Sequence, residues 1–167
     1  MRIIIASLII SMFLSCVNEK EIESGLIIVP SLKHSYDTSY VDRDIPNVRA
    51  YDINISLVNK STKPVSFWIM KCSWQNNFII DGEKMSFYSE ECNGNFPTVK
   101  NIKPSDSINY NASIFTLLTD ATKLKKIRIG FIYVDAERYS SFNDYLSIME
   151  DKSKQDSIIW SMPLQLD

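Results

Sequence analysis

The chain has 167 residues, 45% of them apolar and 11% aromatic, with a formal net charge of -2, a pI near 5.5 and a single histidine. That length supports one sizeable core and a single domain. The acidic balance excludes a phosphate-tracking nucleic-acid surface, which needs a strong basic excess, and four glycines with no Walker or dinucleotide fingerprint exclude a phosphate-cradling loop.

Met1 and Arg2 precede an apolar run from Ile3 to Leu14 in which only Ser7 and Ser11 are polar, and the run ends in Phe13-Leu14-Ser15-Cys16. It is shorter than the roughly 20 residues of a membrane-spanning helix. A positive start, a short apolar stretch and a small residue before the cysteine are the marks of an export signal. The segment resembles a bacterial lipoprotein signal peptide: Leu14-Ser15-Cys16 matches the last three lipobox positions, and Phe13 stands where the family usually has an aliphatic residue. The resemblance implies that residues 1–15 are removed, that Cys16 is acylated and that the protein is lipid-anchored to the outer membrane of the cell envelope. An ordinary cleaved signal and a buried N-terminal strand are the alternatives. Residues 16–25 then form a polar tether, with Glu19, Glu21 and Glu23 around Lys20. Acidic residues behind the acylated cysteine also resemble the surface-export signals of some Gram-negative lipoproteins.

The remaining chain, 26–167, reads as one domain. Leu26 to Val29, stopped by Pro30, predicts a short edge strand. Ser31 to Arg49 lacks a clean period and reads as a long connection. The densest pattern follows. Tyr51, Ile53, Ile55 and Leu57 alternate with Asp52, Asn54 and Ser56, the period of a strand with one buried face. Across a polar turn ending in Pro64, Val65, Phe67 and Ile69 share one face while Trp68 and Met70 share the other, which predicts a strand covered on both sides.

Next, Phe78–Ile80 and Phe87-Tyr88 flank Asp81-Gly82-Glu83-Lys84, a β-hairpin signal. Phe96 to Ile102 leads through Lys103-Pro104-Ser105-Asp106 into the alternating run Ile108, Tyr110, Ala112, Ile114, with Pro104 at the first central position of a tight turn. Val99, Ile102, Pro104, Ser107 and Ile108 together resemble the turn between late strands of bacterial immunoglobulin-like domains. Ile127, Ile129, Phe131 and Tyr133 predict a central strand. Ile158, Trp160, Met162, Leu164 and Leu166 predict its neighbour. Between these two lies the one helical signal: Ser141 and Asp144 form a capping box, and Phe142, Tyr145, Leu146 and Met149 recur at helical spacing.

Removing Cys16 for acylation leaves Cys72 and Cys92, which in an exported chain predicts a disulfide. Neither has another cysteine or a histidine at zinc-ligand spacing, so no metal site is expected there. No cofactor is expected either. His34 sits in a polar stretch with no Gly-x-Ser-x-Gly elbow. The carboxylate pairs Asp42/Asp44 and Glu90/Glu91 lack a sugar-stacking aromatic frame, and the Asp42/Asp44 loop lacks the glycine and further acids of a calcium loop. Trp74, Tyr88 and Phe96 cluster around the cysteines, as a candidate recognition patch or a secondary core over the disulfide.

Short alternating runs without βαβ order predict an all-β fold, an antiparallel immunoglobulin-like β-sandwich with one short helix between the last two strands. A jelly roll or small barrel is the alternative. The expected function is that of a non-catalytic, lipid-anchored envelope protein binding a protein or glycan partner. An inhibitor or immunity-type lipoprotein and, further off, an envelope hydrolase are the rivals.

Overall fold

The computed structural model describes residues 25–40, 45–82, 84–89, 92–151 and 158–166. The signal segment with Cys16, all but the last residue of the tether, and the pairs Asp42/Asp44 and Glu90/Glu91 lie outside them. The described chain is an all-β antiparallel fold. In order it forms β1 (Leu26–Tyr40), β2 (Ile45–Asn59), β3 (Val65–Met70), a 3-10 turn (Trp74–Asn77), β4 (Phe78–Ile80), β5 (Ser86–Phe87), β6 (Pro97–Ile102) and β7 (Ser107–Leu117). There follow α1 (Leu118–Ala121), β8 (Lys126–Ile127), β9 (Ile129–Ile132), α2 (Phe142–Glu150), β10 (Ile158–Trp160) and β11 (Leu164–Gln165).

One layer is the sheet β1-β2-β7-β5. Its inner face carries Leu26, Ile28, Tyr51, Ile53, Ile55, Leu57, Ala112 and Ile114, all buried. The opposing layer combines β3-β6, β4-β9-β10 and β8-β11. It contributes Val65, Phe67, Ile69, Phe78, Ile129 and Phe131 to the same core, with Phe67 edge-on to Phe131 at 5.2 Å. Both runs of the 51–74 segment are strands, but β2 and β3 belong to different layers, so the Asn59–Pro64 turn carries the chain across the sandwich. Asn59, fully buried, builds that turn. Its amide nitrogen donates to the carbonyls of Lys63 (2.7 Å) and Ile102 (3.0 Å), and its side-chain oxygen accepts from the Ser61 backbone N–H at 2.8 Å.

The sequence expectations fail at three places, each for a definable reason. Ser31–Arg49 is not a connection: β1 runs on to Tyr40 and pairs with β2 over nearly its whole length. Both faces of its far half are polar, which hides the period of two. Pro30 is tolerated within it because β1 is an edge strand. The Asp81-Gly82 segment does not close a hairpin, because β4 pairs with β9 and β5 with β7. The chain crosses between layers there, and the left-handed residue is Lys84 (φ 65). Finally, Met162 breaks the alternation of the last run, with 79% of its surface exposed. A bulge separates β10 from β11, where the Ser161 hydroxyl accepts from the Ile129 N–H at 2.9 Å. The Pro104 turn forms as read, with Ser105 at φ 62 and Asp106 N–H donating to Lys103 C=O at 3.1 Å. It too joins strands of different layers.

The outer face of the second layer is covered by α2, which begins at a complete Ser141/Asp144 capping box. Tyr145 and Ile148 are its buried residues; Leu146 and Met149 are half-buried, and Phe142 is exposed. Tyr145, Leu146, Ile148 and Met149 share a cluster with Trp68, Met70, Ile79, Ile132, Val134 and Ile158, so β3 is covered on both faces. Gly130 makes room here: a Cβ on it would lie 2.7 Å from Ile79 Cγ1 and 2.9 Å from Trp160 Cζ3.

β3 and β4 are two halves of one strand line along β9, since Trp68 N–H donates to Val134 C=O (2.9 Å) while Phe78 pairs with Phe131. The gap is filled by Asn77, fully buried. Its oxygen accepts from the Tyr145 hydroxyl (2.8 Å) and the Met70 N–H (3.3 Å), and its nitrogen donates to the carbonyls of Trp68 (3.3 Å) and Ile132 (3.4 Å). Asn77→Ala leaves the buried Tyr145 hydroxyl and Ile132 carbonyl without this partner, each costing about 1–3 kcal/mol, and takes a bond from the half-buried Trp68 carbonyl and Met70 N–H as well. Urea unfolding should therefore show a loss on the order of 3–5 kcal/mol, whereas Tyr145→Phe should lose about 1 kcal/mol.

Candidate functional site

The excursion between β3 and β4 carries Cys72 and Trp74 away from the sheet, and the edge of the opposing layer lies close by. Cys72 and Cys92 are bridged, with Cα atoms 5.9 Å apart and a sequence separation of 20. Asn95 reinforces the bridge, its side-chain oxygen accepting from the N–H groups of Cys72 (3.3 Å) and Ser73 (3.2 Å). The disulfide thus pins the excursion to the loop before β6.

Beside it opens a cleft of about 750 Å³, lined by Lys33, His34, Asp52, Ile53, Trp74, Gln75, Tyr88, Asn111, Ala112, Ser113 and the two cysteines. Its first wall depends on a β-bulge. Leu32 pairs with Ile53 but His34 pairs with Asp52, so Lys33 is the extra residue. Before the bulge the even-numbered residues of β1 face the core; after it they face outward. Were Lys33 paired regularly with Asp52, His34 would fall opposite Tyr51 and point into the apolar interior. Re-aiming a side chain is a recurrent use of such bulges.

With the bulge in place, His34 Nε2 lies 3.1 Å from Asp52 Oδ2, and the Ser113 hydroxyl, directly across from Asp52 on β7, donates to Asp52 Oδ1. The His34 ring stacks on Tyr36, centroids 5.3 Å apart. Partial burial, and then the Asp52 charge, push the Tyr36 hydroxyl above its ordinary value. The ladder continues along the same face, where Asn54 donates to Asn111 at 3.1 Å.

The second wall is the excursion itself. Trp74 packs at 4.7 Å on Tyr110 and edge-on to Phe78 at 5.6 Å, so its ring is half-buried. The Gln75 amide reaches Tyr88 C=O at 3.5 Å, and Tyr88 N–H donates to Ser113 C=O at 2.8 Å, which continues the β5–β7 pairing. Of the three sequence candidates, Trp74 and Tyr88 therefore share the cleft. Phe96 does not line it and is 51% exposed, with Lys71 Nζ 4.9 Å from its ring centre.

His34, set aside in the sequence as a loop residue, is the group that sequence reasoning missed. The signal was the alternation of His34, Tyr36 and Thr38, obscured because the intervening Ser35 and Asp37 are also polar. The order Ser113–Asp52–His34 is not that of a hydrolytic triad, in which histidine takes the proton from serine and the carboxylate holds the histidine. Here the carboxylate stands between them, and the serine hydroxyl points at it. Among the described residues no cluster of three or more histidine, cysteine or carboxylate groups is placed to hold a metal.

No family model matches the chain, and no curated protein matches it. Among solved structures it is similar to the crystal structure of a FixG-related protein from Vibrio parahaemolyticus, at 12% identity and a TM-score of 0.39, with 84% of this chain and 95% of that chain covered. A likeness at that score carries no functional argument.

Two expectations follow from this packing. Mass spectrometry of the non-reduced protein should find the Cys72 and Cys92 peptides joined, and reduction should cost about 3 kcal/mol in the chain-entropy account of a loop of this size. Burial pushes the hydroxyls of Tyr110, Tyr133 and Tyr145 up to about 12. Their neutral forms are favoured in the fold, so the stability they contribute is complete below the ordinary value of 10.0 and is lost as pH rises through about 12. A phenolate absorbance titration should show these three ionising last, together with alkaline unfolding. Ionisation of every tyrosine near pH 10 in folded protein would contradict it.

Proposed function

We propose that this chain is a non-catalytic binding module of the cell envelope, held at the outer membrane by a lipid on Cys16, and that its partner is a protein or a glycan. The observation that carries the reading is the cleft, an open, polar and aromatic-walled concavity of about 750 Å³ on a sandwich, within the roughly 300–1,000 Å³ range of ligand sites. Among its described lining residues, the Ser113 hydroxyl donates to the Asp52 carboxylate and not to a histidine base, which supports binding over chemistry. We read the sandwich as immunoglobulin-like in kind, on the strength of the Pro104 turn.

Two measurements test this. A clickable fatty acid fed to cells should label the wild-type protein and not Cys16→Ser; equal labelling removes the anchor from the reading. A photo-crosslinking amino acid at Asn111, on the cleft, should give a larger adduct in intact cells, while the same group at the exposed Lys103 should not. No adduct, or equal adducts at both positions, removes the cleft as the contact surface.

A further inference from the structure

We propose that the cleft between the β1 bulge and the disulfide binds an uncharged saccharide, an inference that rests on the binding-module reading above. The first support is electrostatic. Asp52 is tied to His34 and Ser113, and Lys33 lines the same cleft, so among the described lining residues one carboxylate and one ammonium offset each other. Among these residues neither sign of charge dominates to select an anion or a cation. A basic peptide would meet Lys33, and an acidic one Asp52.

The second support is the mixture of donors and acceptors. Sugar hydroxyls both give and accept hydrogen bonds, and the wall offers both kinds within a few side chains. The Asp52 carboxylate, engaged by His34, Ser113 and the Tyr36 hydroxyl, has about four lone-pair sites and so keeps one to offer. Asn111 supplies an amide, and Gln75, whose amide nitrogen reaches Tyr88 C=O at 3.5 Å, lines the same cleft. An apolar ligand would leave these groups desolvated and unpaired. The third support is the aromatic surface. Trp74 and Tyr88 wall one side, and the His34 imidazole lines the other. Such ring faces match the C–H faces of a pyranose, while the ring edges and the hydroxyls remain wet.

The test uses the mature lipoprotein purified in a zwitterionic detergent free of sugar groups. It is titrated by tryptophan fluorescence and calorimetry with cellotriose, maltotriose and chitotriose, and with trigalacturonate as the charged comparison. At least one neutral trisaccharide should bind saturably and more tightly than trigalacturonate. Asp52→Asn and Asn111→Ala should each weaken it roughly tenfold or more, about 1.4 kcal/mol, with melting temperatures unchanged. Tighter binding of the uronate, binding that both substitutions leave intact, or no binding of any neutral sugar overturns the proposal. In that last case a protein adduct at Asn111 in cells retains the binding-module reading with a protein partner, and the absence of any adduct removes that reading too.

Discussion

The fold turns on the buried amide of Asn77. Without it the strand line along β9 would have to choose between continuity and the excursion that carries Cys72 and Trp74. A chain leaving a sheet interior abandons ladder bonds, and buried N–H and C=O groups without partners are costly. Asn77 is small enough to sit in the gap, and it has two donors and one acceptor oxygen, with which it serves β3, β9 and the Tyr145 hydroxyl of α2 together. One side chain thus couples the sheet, the helix above it and the loop that becomes the wall of the cleft. Aspartate could not substitute for it, because a carboxylate offers no donor to the two carbonyls.

Asn59 plays the corresponding part at the other crossing. There Ser105 N–H donates to Asn59 C=O at 2.9 Å, and Asn59 N–H donates to Asp106 C=O at 3.0 Å, so the β2–β3 turn and the Pro104 turn are one hydrogen-bonded unit. Both carry the chain from one layer to the other. The sandwich is consequently assembled from pairings distant in sequence, such as Ile53 with Ala112 and Val65 with Ile102. Fully satisfied buried polar groups at these crossings specify which layer each strand enters, a choice that apolar packing alone leaves open.

That division explains what could be read in advance. The strands at 51–57, 65–70 and 108–114 announce themselves by the period of two, and α2 by its capping box, because these signals come from neighbours in sequence. Strand partners do not. Asp81-Gly82 has hairpin chemistry and yet leads across the core, since turn residues set local dihedrals and not the identity of the next partner. The candidate site was half legible. Trp74 and Tyr88 drew attention through the cysteines, whereas His34 needed knowledge of a bulge, and Asp52 and Ser113 looked like ordinary outward positions of half-buried strands. Sixty-one residues separate those last two, and only the β2–β7 register brings them together.

The two walls of the cleft differ in how they are held, and that difference bears on binding. Asp52, Asn111 and Ser113 stand on the central strands β2 and β7, where backbone pairing fixes them. Trp74 and Gln75 stand on an excursion of little regular structure, yet it is closed at one end by Asn77 and at the other by the Cys72–Cys92 bridge and Asn95. Ordering a free loop on a ligand costs about 0.5–1.5 kcal/mol for each immobilised side chain. Here that ordering takes place when the domain folds and the disulfide closes. The stability of the domain and the readiness of its cleft therefore share the same few groups, and a substitution that loosens the excursion would weaken both while leaving the strand ladder of the first layer intact.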